Sequence, residues 1–339
     1  MAATGLVLST STIDNLVRSE ELKEDAMNIA VVGAGVVGSY FGGRLAHAGE
    51  DVVFLDRGAN LQAIRERGLQ VDDVAGDFVV RPAQATGDST TVGPVDVVLL
   101  ALKGWQVPGA IETMGPLMGP ETFGVPLCDG VEAPSQVAAA FGERRVVGGL
   151  AVMMGTRVAP GHIRNTLPNS SITLGELDGR RSERVLRLQQ AFERGGVAIE
   201  VSADIVSALW QKLLMVGPWS AVGAVTRAPL GVVRNVPETR QLLEGAMREV
   251  LAVARARGAA LADDAVQQAL AWLDRGTSGF AGNMLGDVQA GRPSELETQI
   301  GAIVRLGRAT GVAVPCHTFL YASLLPQERK ARGQIEFPV

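Results

Sequence analysis

The sequence predicts an α/β chain in which a doubly wound parallel sheet is followed by an all-helical domain. Three observations predict it. The run Ile29-Ala30-Val31-Val32 leads straight into Gly33-Ala34-Gly35-Val36-Val37-Gly38, and then into a helical pattern reaching about His47. Short β-branched runs alternate with helical stretches through the first half, as expected of parallel strands joined by crossover helices. From about residue 203 the strand signals stop and helical periodicity takes over. These features place a nucleotide-binding domain at 27–202 and a helical substrate and dimerisation domain at 203–339.

Residues 1–26 match neither part. They are mixed polar, with Glu20, Glu21, Glu24 and Asp25, and lack the cationic start and apolar centre of a signal peptide. Disorder is expected there. Met27 opens the first strand, over 28–33. The Gly-x-Gly-x-x-Gly that follows has a physical logic. Gly33 permits a tight turn, Gly35 lets a pyrophosphate approach the backbone, and Gly38 lets helix and strand pack closely. The helix then presents free N–H groups and its positive dipole end to an anion. A second strand, 51–56, ends at Asp56, eighteen residues after Gly38. An acidic side chain at that distance suits a ribose hydroxyl.

Further strands are expected at 95–101, 124–128, 146–151, 171–175 and 197–201, with helices near 36–48, 59–67, 105–114, 133–141 and 183–194. Asp96-Val97-Val98-Leu99-Leu100-Ala101 is almost wholly apolar, as a strand covered on both faces should be. In the second half, helices are expected at 203–216, 237–257, 263–275, 279–290 and 293–310. Pro237 and Pro293 fit first helical turns, and Gly258 and Gly311 fit helix ends. The apolar stretch Leu209 to Val225 spans seventeen residues and contains Gln211, Lys212 and Ser220. A membrane helix needs about 20 predominantly apolar residues, so a buried helix broken near Gly217-Pro218 is expected instead.

Bulk properties exclude several classes. A net charge of −5 offers no basic field for nucleic acid. Two cysteines, Cys128 and Cys316, make no disulfide framework, and a reduced cytoplasmic setting is expected. His47, His162 and His317 are far apart, so no metal site is expected.

Four residues stand out for chemistry. Lys212 has Ala208, Leu209, Met215 and Val216 as its helical neighbours, with no carboxylate within a turn. A solvated, snorkelling side chain is one reading; a partly buried amine able to donate a proton is the other. Glu295 and Glu297 both open a helix in Arg292-Pro293-Ser294-Glu295-Leu296-Glu297, where an acid is stabilising for purely local reasons. Lys103 follows a strand, at the carboxyl edge of the sheet where open α/β folds bind ligands. Asp129-Gly130 follows the next strand at the same edge, either as a simple turn or as part of a site. Trp105, Trp210, Trp219 and Trp272 are read as packing residues, and neither thiol has the surroundings of a nucleophile.

Taken in order, the motifs resemble the ketopantoate reductase (2-dehydropantoate 2-reductase) family, from Met27 to about residue 325. The matching pieces are Gly33–Gly38, Leu102-Lys103-Gly104-Trp105-Gln106, Asp129-Gly130-Val131-Glu132, Leu209-Trp210-Gln211-Lys212-Leu213, Asn283-Met284-Leu285-Gly286-Asp287 and Gly291-Arg292-Pro293-Ser294-Glu295-Leu296. The resemblance implies a Rossmann domain, a helical C-terminal domain, and a cleft between them for cofactor and a 2-oxo acid. It implies NADPH-dependent ketone reduction, with Lys212 as proton donor, Glu295 hydrogen-bonding the substrate hydroxyl side, and Lys103 near the cofactor. Arg57 matches the arginine that holds the 2′-phosphate of NADPH, while Asp56 beside it would favour NADH.

This chain departs from the family pattern in three places. Asp129 replaces the usual Asn, Val216 and Ser220 stand where two asparagines follow the lysine, and Asn283 replaces a substrate-binding Ser. Asp129, Ser220 and Asn283 would therefore complete a rebuilt substrate pocket, with Asp129 also beside the nicotinamide of the cofactor. The resulting expectation is a divergent reductase of a small carbonyl compound, assembled as a homodimer. The rival expectation is a repurposed member that uses Asp129 as acid or base, or binds cofactor without hydride transfer.

Overall fold

The computed structural model describes residues 26–338. The extension expected to be disordered therefore lies outside the described residues, apart from Ala26. The described part opens with strand β1 (Asn28–Val32), helix α1 (Val36–His47), β2 (Asp51–Leu55) and α2 (Gly58–Arg67). Then come β3 (Leu69–Asp73), β4 (Phe78–Val80), β5 (Gln84–Thr86), β6 (Val97–Leu100), α3 (Val107–Met114), β7 (Phe123–Pro126) and α4 (Ala133–Phe141). The sheet half ends with β8 (Val147–Val152), β9 (Gly155–Ala159), β10 (His162–Asn165), β11 (Ser171–Glu176), α5 (Glu183–Arg194) and β12 (Ala198–Val201).

The principal sheet has the order β5-β2-β1-β6-β7, and every pairing in it is parallel. The reason lies in the side chains. Along β1, Ile29 and Val31 enter one core with Phe41, Leu45 and Phe54, while Ala30 and Val32 enter another with Val98, Leu100, Val107 and Met114. A strand buried on both faces needs helices on both sides, and only parallel crossovers deliver them. β1 is the centre from which the chain winds outward in both directions, so the crevice at its carboxyl end is a topological switch point.

Two smaller sheets flank this one. β12-β11-β8 joins it through a single parallel bridge, Gly124 to Val146. β4-β3-β10-β9 lies outside it, and none of its strands is expected from sequence. β3 shows why: Leu69 and Val71 are buried, but Gln70, Asp72 and Asp73 break any apolar run.

After β12 the described chain is helical. It comprises α6 (Ile205–Thr226), α7 (Leu230–Asn235), α8 (Pro237–Ala256), α9 (Ala265–Arg275), α10 (Asn283–Gln289), a π turn at Glu297–Gly301, α11 (Ala302–Thr310) and α12 (Pro315–Ala331). Together these elements make an N-terminal Rossmann-like domain with a parallel sheet and a helical C-terminal domain. The core of the second part gathers Leu213, Leu214 and Trp219 of α6 with Met247 and Val250 of α8 and Leu273 of α9.

Three expectations need correction. α6 is continuous through Gly217-Pro218. Pro218 costs one backbone hydrogen bond, but Leu213, Leu214, Trp219, Ala221 and Val222 around it are all buried, and that packing holds the helix together. Pro293 precedes its helix rather than opening it, since regular structure starts only after Glu295. The helix expected over 279–290 is shorter, because Gly282 sits in extended conformation at its N-cap. Among the described residues no helix is long and apolar enough to cross a membrane.

Candidate active site

Because β1, β2, β6 and β7 run in parallel register, the residues that follow them converge on one edge. Gly33 follows β1 with φ 97°, a conformation that suits glycine, and a Cβ there would also lie 2.8 Å from the Ala101 carbonyl oxygen. A Cβ at Gly38 would lie 2.0 Å from the Gly33 carbonyl oxygen. Over Gly35, by contrast, the nearest atom to a Cβ position is 4.0 Å away, so the backbone there is approachable. The first turn of α1, from Val36 through Val37 to Gly38, has no side-chain cap. Its free N–H groups fit a pyrophosphate, so Gly33, Ala34, Gly35, Val36, Val37 and Gly38 are the residues that would hold a dinucleotide.

Asp56 follows β2 at the same edge. Its Oδ1 accepts a hydrogen bond from the Arg57 backbone N–H at 2.7 Å, and its Oδ2 accepts from the Asn60 side chain at 2.6 Å. Asn60, buried on α2, also donates to the Ala34 carbonyl at 2.9 Å and accepts from the Gly161 N–H at 2.8 Å. It thus ties the glycine turn, Asp56 and the loop before β10 together. Sequence reasoning missed it, because a lone Asn in an amphipathic helix carries no periodic signal. Asn60→Ala is expected to lower unfolding free energy by about 1–3 kcal/mol, since it leaves the buried Gly161 N–H unpaired. Chemical denaturation of the purified variant measures it.

Across the crevice, Lys212 sits in the second turn of α6, a helix begun by Asp204, whose side chain accepts from the Ser207 N–H. Lys212 is not unpaired, as its helical neighbours suggest. Its Nζ lies 2.7 Å from Asp129 Oδ1 and 2.7 Å from the Ala151 carbonyl oxygen on β8. The partner comes from the loop after β7, out of reach of any reading based on helical spacing. The pair also removes the repulsion that a free Asp129 carboxylate would exert on an anionic substrate.

Glu295 is buried between the two domains. Its Oε2 accepts from the Thr298 hydroxyl at 2.5 Å and from the Gly104 N–H at 3.2 Å. Burial, reinforced by the negative charge of Asp129, raises its carboxyl from the usual 4.5 to about 7, against the opposing effects of the Thr298 hydroxyl, the Lys103 charge and the Gly104 N–H. Cys128 senses the same cluster: burial pushes its thiol up to about 12, with Glu295 and Asp129 adding to the rise and Lys212 opposing it. A thiol so raised is no nucleophile. Glu295 rather than Glu297 lies at this centre, since Glu297 is engaged with Arg305 and the Tyr321 hydroxyl.

The π turn beginning at Glu297 makes one of the contacts between the domains. A Cβ at Gly104 would lie 2.8 Å from Thr298 Cγ2 and 2.9 Å from the Asp129 carbonyl oxygen, so only glycine lets the loop after β6 come this close. π turns insert an extra residue per turn and are frequent at functional sites. Lys103 forms an ion pair with Asp287 of α10, and Asp287 also meets Arg292 at 2.9 Å. Ser220 is buried on α6, and a Cβ at Gly282 would lie 2.9 Å from its Oγ, so Ser220 and the start of α10 at Asn283 are close neighbours. Asn283 itself is exposed. Among the described residues no group of three or more His, Cys, Asp or Glu could hold a metal.

The chain as a whole has known relatives. Residues 29–179 match the family described as ketopantoate reductase PanE/ApbA, and residues 204–328 match its C-terminal domain. A solved 2-dehydropantoate 2-reductase from Geobacter metallireducens is 32% identical, with 88% of this chain and 99% of that one covered and a TM-score of 0.82. A 2-dehydropantoate 2-reductase from Nostoc is 28% identical over 300 residues, 87% of this chain and 93% of that protein. A D-mandelate dehydrogenase, solved with NADH and anilino(oxo)acetate, shares the fold at a TM-score of 0.81 and 21% identity over 90% of this chain and 99% of its own. The chain belongs to the ketopantoate reductase PanE/ApbA family and is a 2-dehydropantoate 2-reductase-like oxidoreductase.

Proposed function

We propose that this protein reduces the ketone of a small 2-oxo acid to the hydroxy acid, with Lys212 as proton donor and Glu295 as the group that orients the substrate. The observation that supports this best is the placement of Lys212. Its ammonium has three N–H donors, of which Asp129 and Ala151 take two, leaving one for a substrate oxygen. A nicotinamide dinucleotide held at the glycine turn by its pyrophosphate would supply the hydride to the carbonyl carbon. Lys212 supplies the proton to the carbonyl oxygen, so carbon and oxygen together gain H⁻ and H⁺ and an alcohol results. The negative charge that develops on oxygen in the transition state meets a pre-held cation. Glu295, with its carboxyl raised to about 7, carries a proton in much of the population near neutrality and offers both donor and acceptor to the substrate hydroxyl side. Ser220, Asn283 and the second oxygen of Asp129 complete the pocket, and Lys103 stands beside the cofactor.

Of the two reduced dinucleotides, NADPH is the one the family resemblance implies through Arg57, whereas the surroundings of Asp56 favour NADH. The experiment is oxidation of NADH and NADPH by the purified protein with ketopantoate and a panel of 2-oxo acids. Turnover on at least one acid is expected; cofactor binding with no turnover on any ketone would instead support a non-redox role for Asp129.

A further inference from the structure

We propose that Asp56 makes this protein an NADH-selective member of the family and that Arg57, beside it, does not hold a 2′-phosphate. The inference rests on the site binding a nicotinamide dinucleotide, as proposed above, and goes beyond it to the form of the adenosine ribose. The two neighbours would recognise opposite ligands: a carboxylate accepts hydrogen bonds from a ribose 2′-hydroxyl and repels a 2′-phosphate, and a guanidinium does the reverse.

The structure separates them by preorganisation. Asp56 is half-buried at the carboxyl end of β2, its backbone N–H donating to the Thr86 carbonyl of β5 at 3.2 Å. Each carboxylate oxygen accepts one hydrogen bond, from the Arg57 N–H and from Asn60. An ionised carboxylate has about four acceptor positions, so roughly two remain for ribose hydroxyls. Asn60 donates from the same nitrogen to the Ala34 carbonyl inside the glycine turn, so the carboxylate is fixed relative to the turn that would hold the pyrophosphate. Arg57 is placed differently. It is exposed at the N-cap of α2, and its side chain makes no hydrogen bond or ion pair among the described residues. Drawing it onto a phosphate would cost the rotamer freedom of a long side chain, while the phosphate would still face Asp56.

A second carboxylate lies on the same side of the sheet. The turn after β5 carries Asp88, whose Oδ1 accepts from the Thr90 N–H and hydroxyl, which hold its carboxyl below the usual range. It therefore stays ionised in the turn that follows the strand adjoining β2. Arg65 of α2 also reaches β5, where its Nε donates to the Ala85 carbonyl at 2.8 Å. The chain thus combines attraction for a hydroxyl with repulsion of a phosphate, the two halves of a specificity device.

The test is equilibrium binding of NADH and NADPH by calorimetry, which requires no turnover. Wild-type protein is expected to bind NADH at least about tenfold more tightly than NADPH. Asp56→Ser is expected to weaken NADH and strengthen NADPH, bringing the two within about threefold, and Arg57→Ala to change NADH affinity by less than about twofold. Asp56→Asn, which keeps an acceptor for the Arg57 N–H, serves if the serine variant does not fold. NADPH binding equal to or tighter than NADH in the wild type would overturn the inference and leave the reductase reading standing. Binding of neither dinucleotide would overturn both.

Discussion

Lys212→Ala is expected to lower kcat for ketone reduction by about 10²–10⁴-fold while leaving dinucleotide affinity unchanged. Lys212 is the ammonium group that pairs with Asp129, and that pair stands beside the buried Glu295. Removing it deprives the developing alkoxide of both its proton and its nearby positive charge. The loss falls on kcat more than on KM, since the proton moves only as the transition state forms. Lys212→Arg is expected to be nearly as inactive, because a guanidinium keeps the charge but does not release a proton at usable pH. Asp129→Asn tests the holder of the lysine: a fall in reduction is expected, and a gain would mean that the carboxylate serves another reaction. Full turnover by Lys212→Ala would sink the mechanism.

The second large effect is on stability and comes from Glu295. Its carboxyl ionises near 7 in the folded protein and near 4.5 in the unfolded chain. Below pH 4.5 both states hold the proton and the group is neutral in the balance. Between these values the folded state keeps a proton that the unfolded state has released, so stability falls as pH rises, and it levels off above about 7. Integrated over that window the loss is about 3 kcal/mol. Glu295→Gln has no proton to lose, so the stability difference, wild type minus variant, should decline by that amount between acid and neutral pH. Urea denaturation at a series of pH values measures it. An identical pH slope in both proteins would mean that Glu295 ionises normally.

Much of the Rossmann half was legible because its decisive signals are local. The strand, glycine turn and helix at Ile29–Gly38 are contiguous, and Val97–Leu100 reads as a central strand because apolar residues fill both of its faces. The family motifs are short and local too. What escaped reading is what depends on contacts across the chain. Lys212 looked unpaired since its partner lies 83 residues away on a different element. Asn60 carries three hydrogen bonds to segments brought together only by the sheet. β3, β4, β9 and β10 are short and mixed, and they form because neighbouring strands supply their partners. Pro218 argues locally for a break, and tertiary packing overrides it. The choice between Asp56 and Arg57 likewise cannot be made from adjacency; it turns on which side chain the fold holds still.

The π turn at Glu297–Gly301 also governs how this region tolerates changes of length. One residue more than an α-helix would use is accommodated there, and the surplus sets the angle at which the segment before it leaves α11. Deleting one residue within the turn would let ordinary helix form and would favour the isolated helix. It would also rotate everything upstream by about 100° about the helix axis, carrying Glu295 away from the Gly104 N–H. The helical domain could thus gain local regularity while the proposed site lost its register, which makes this bulge a point where the chain's length is under functional constraint.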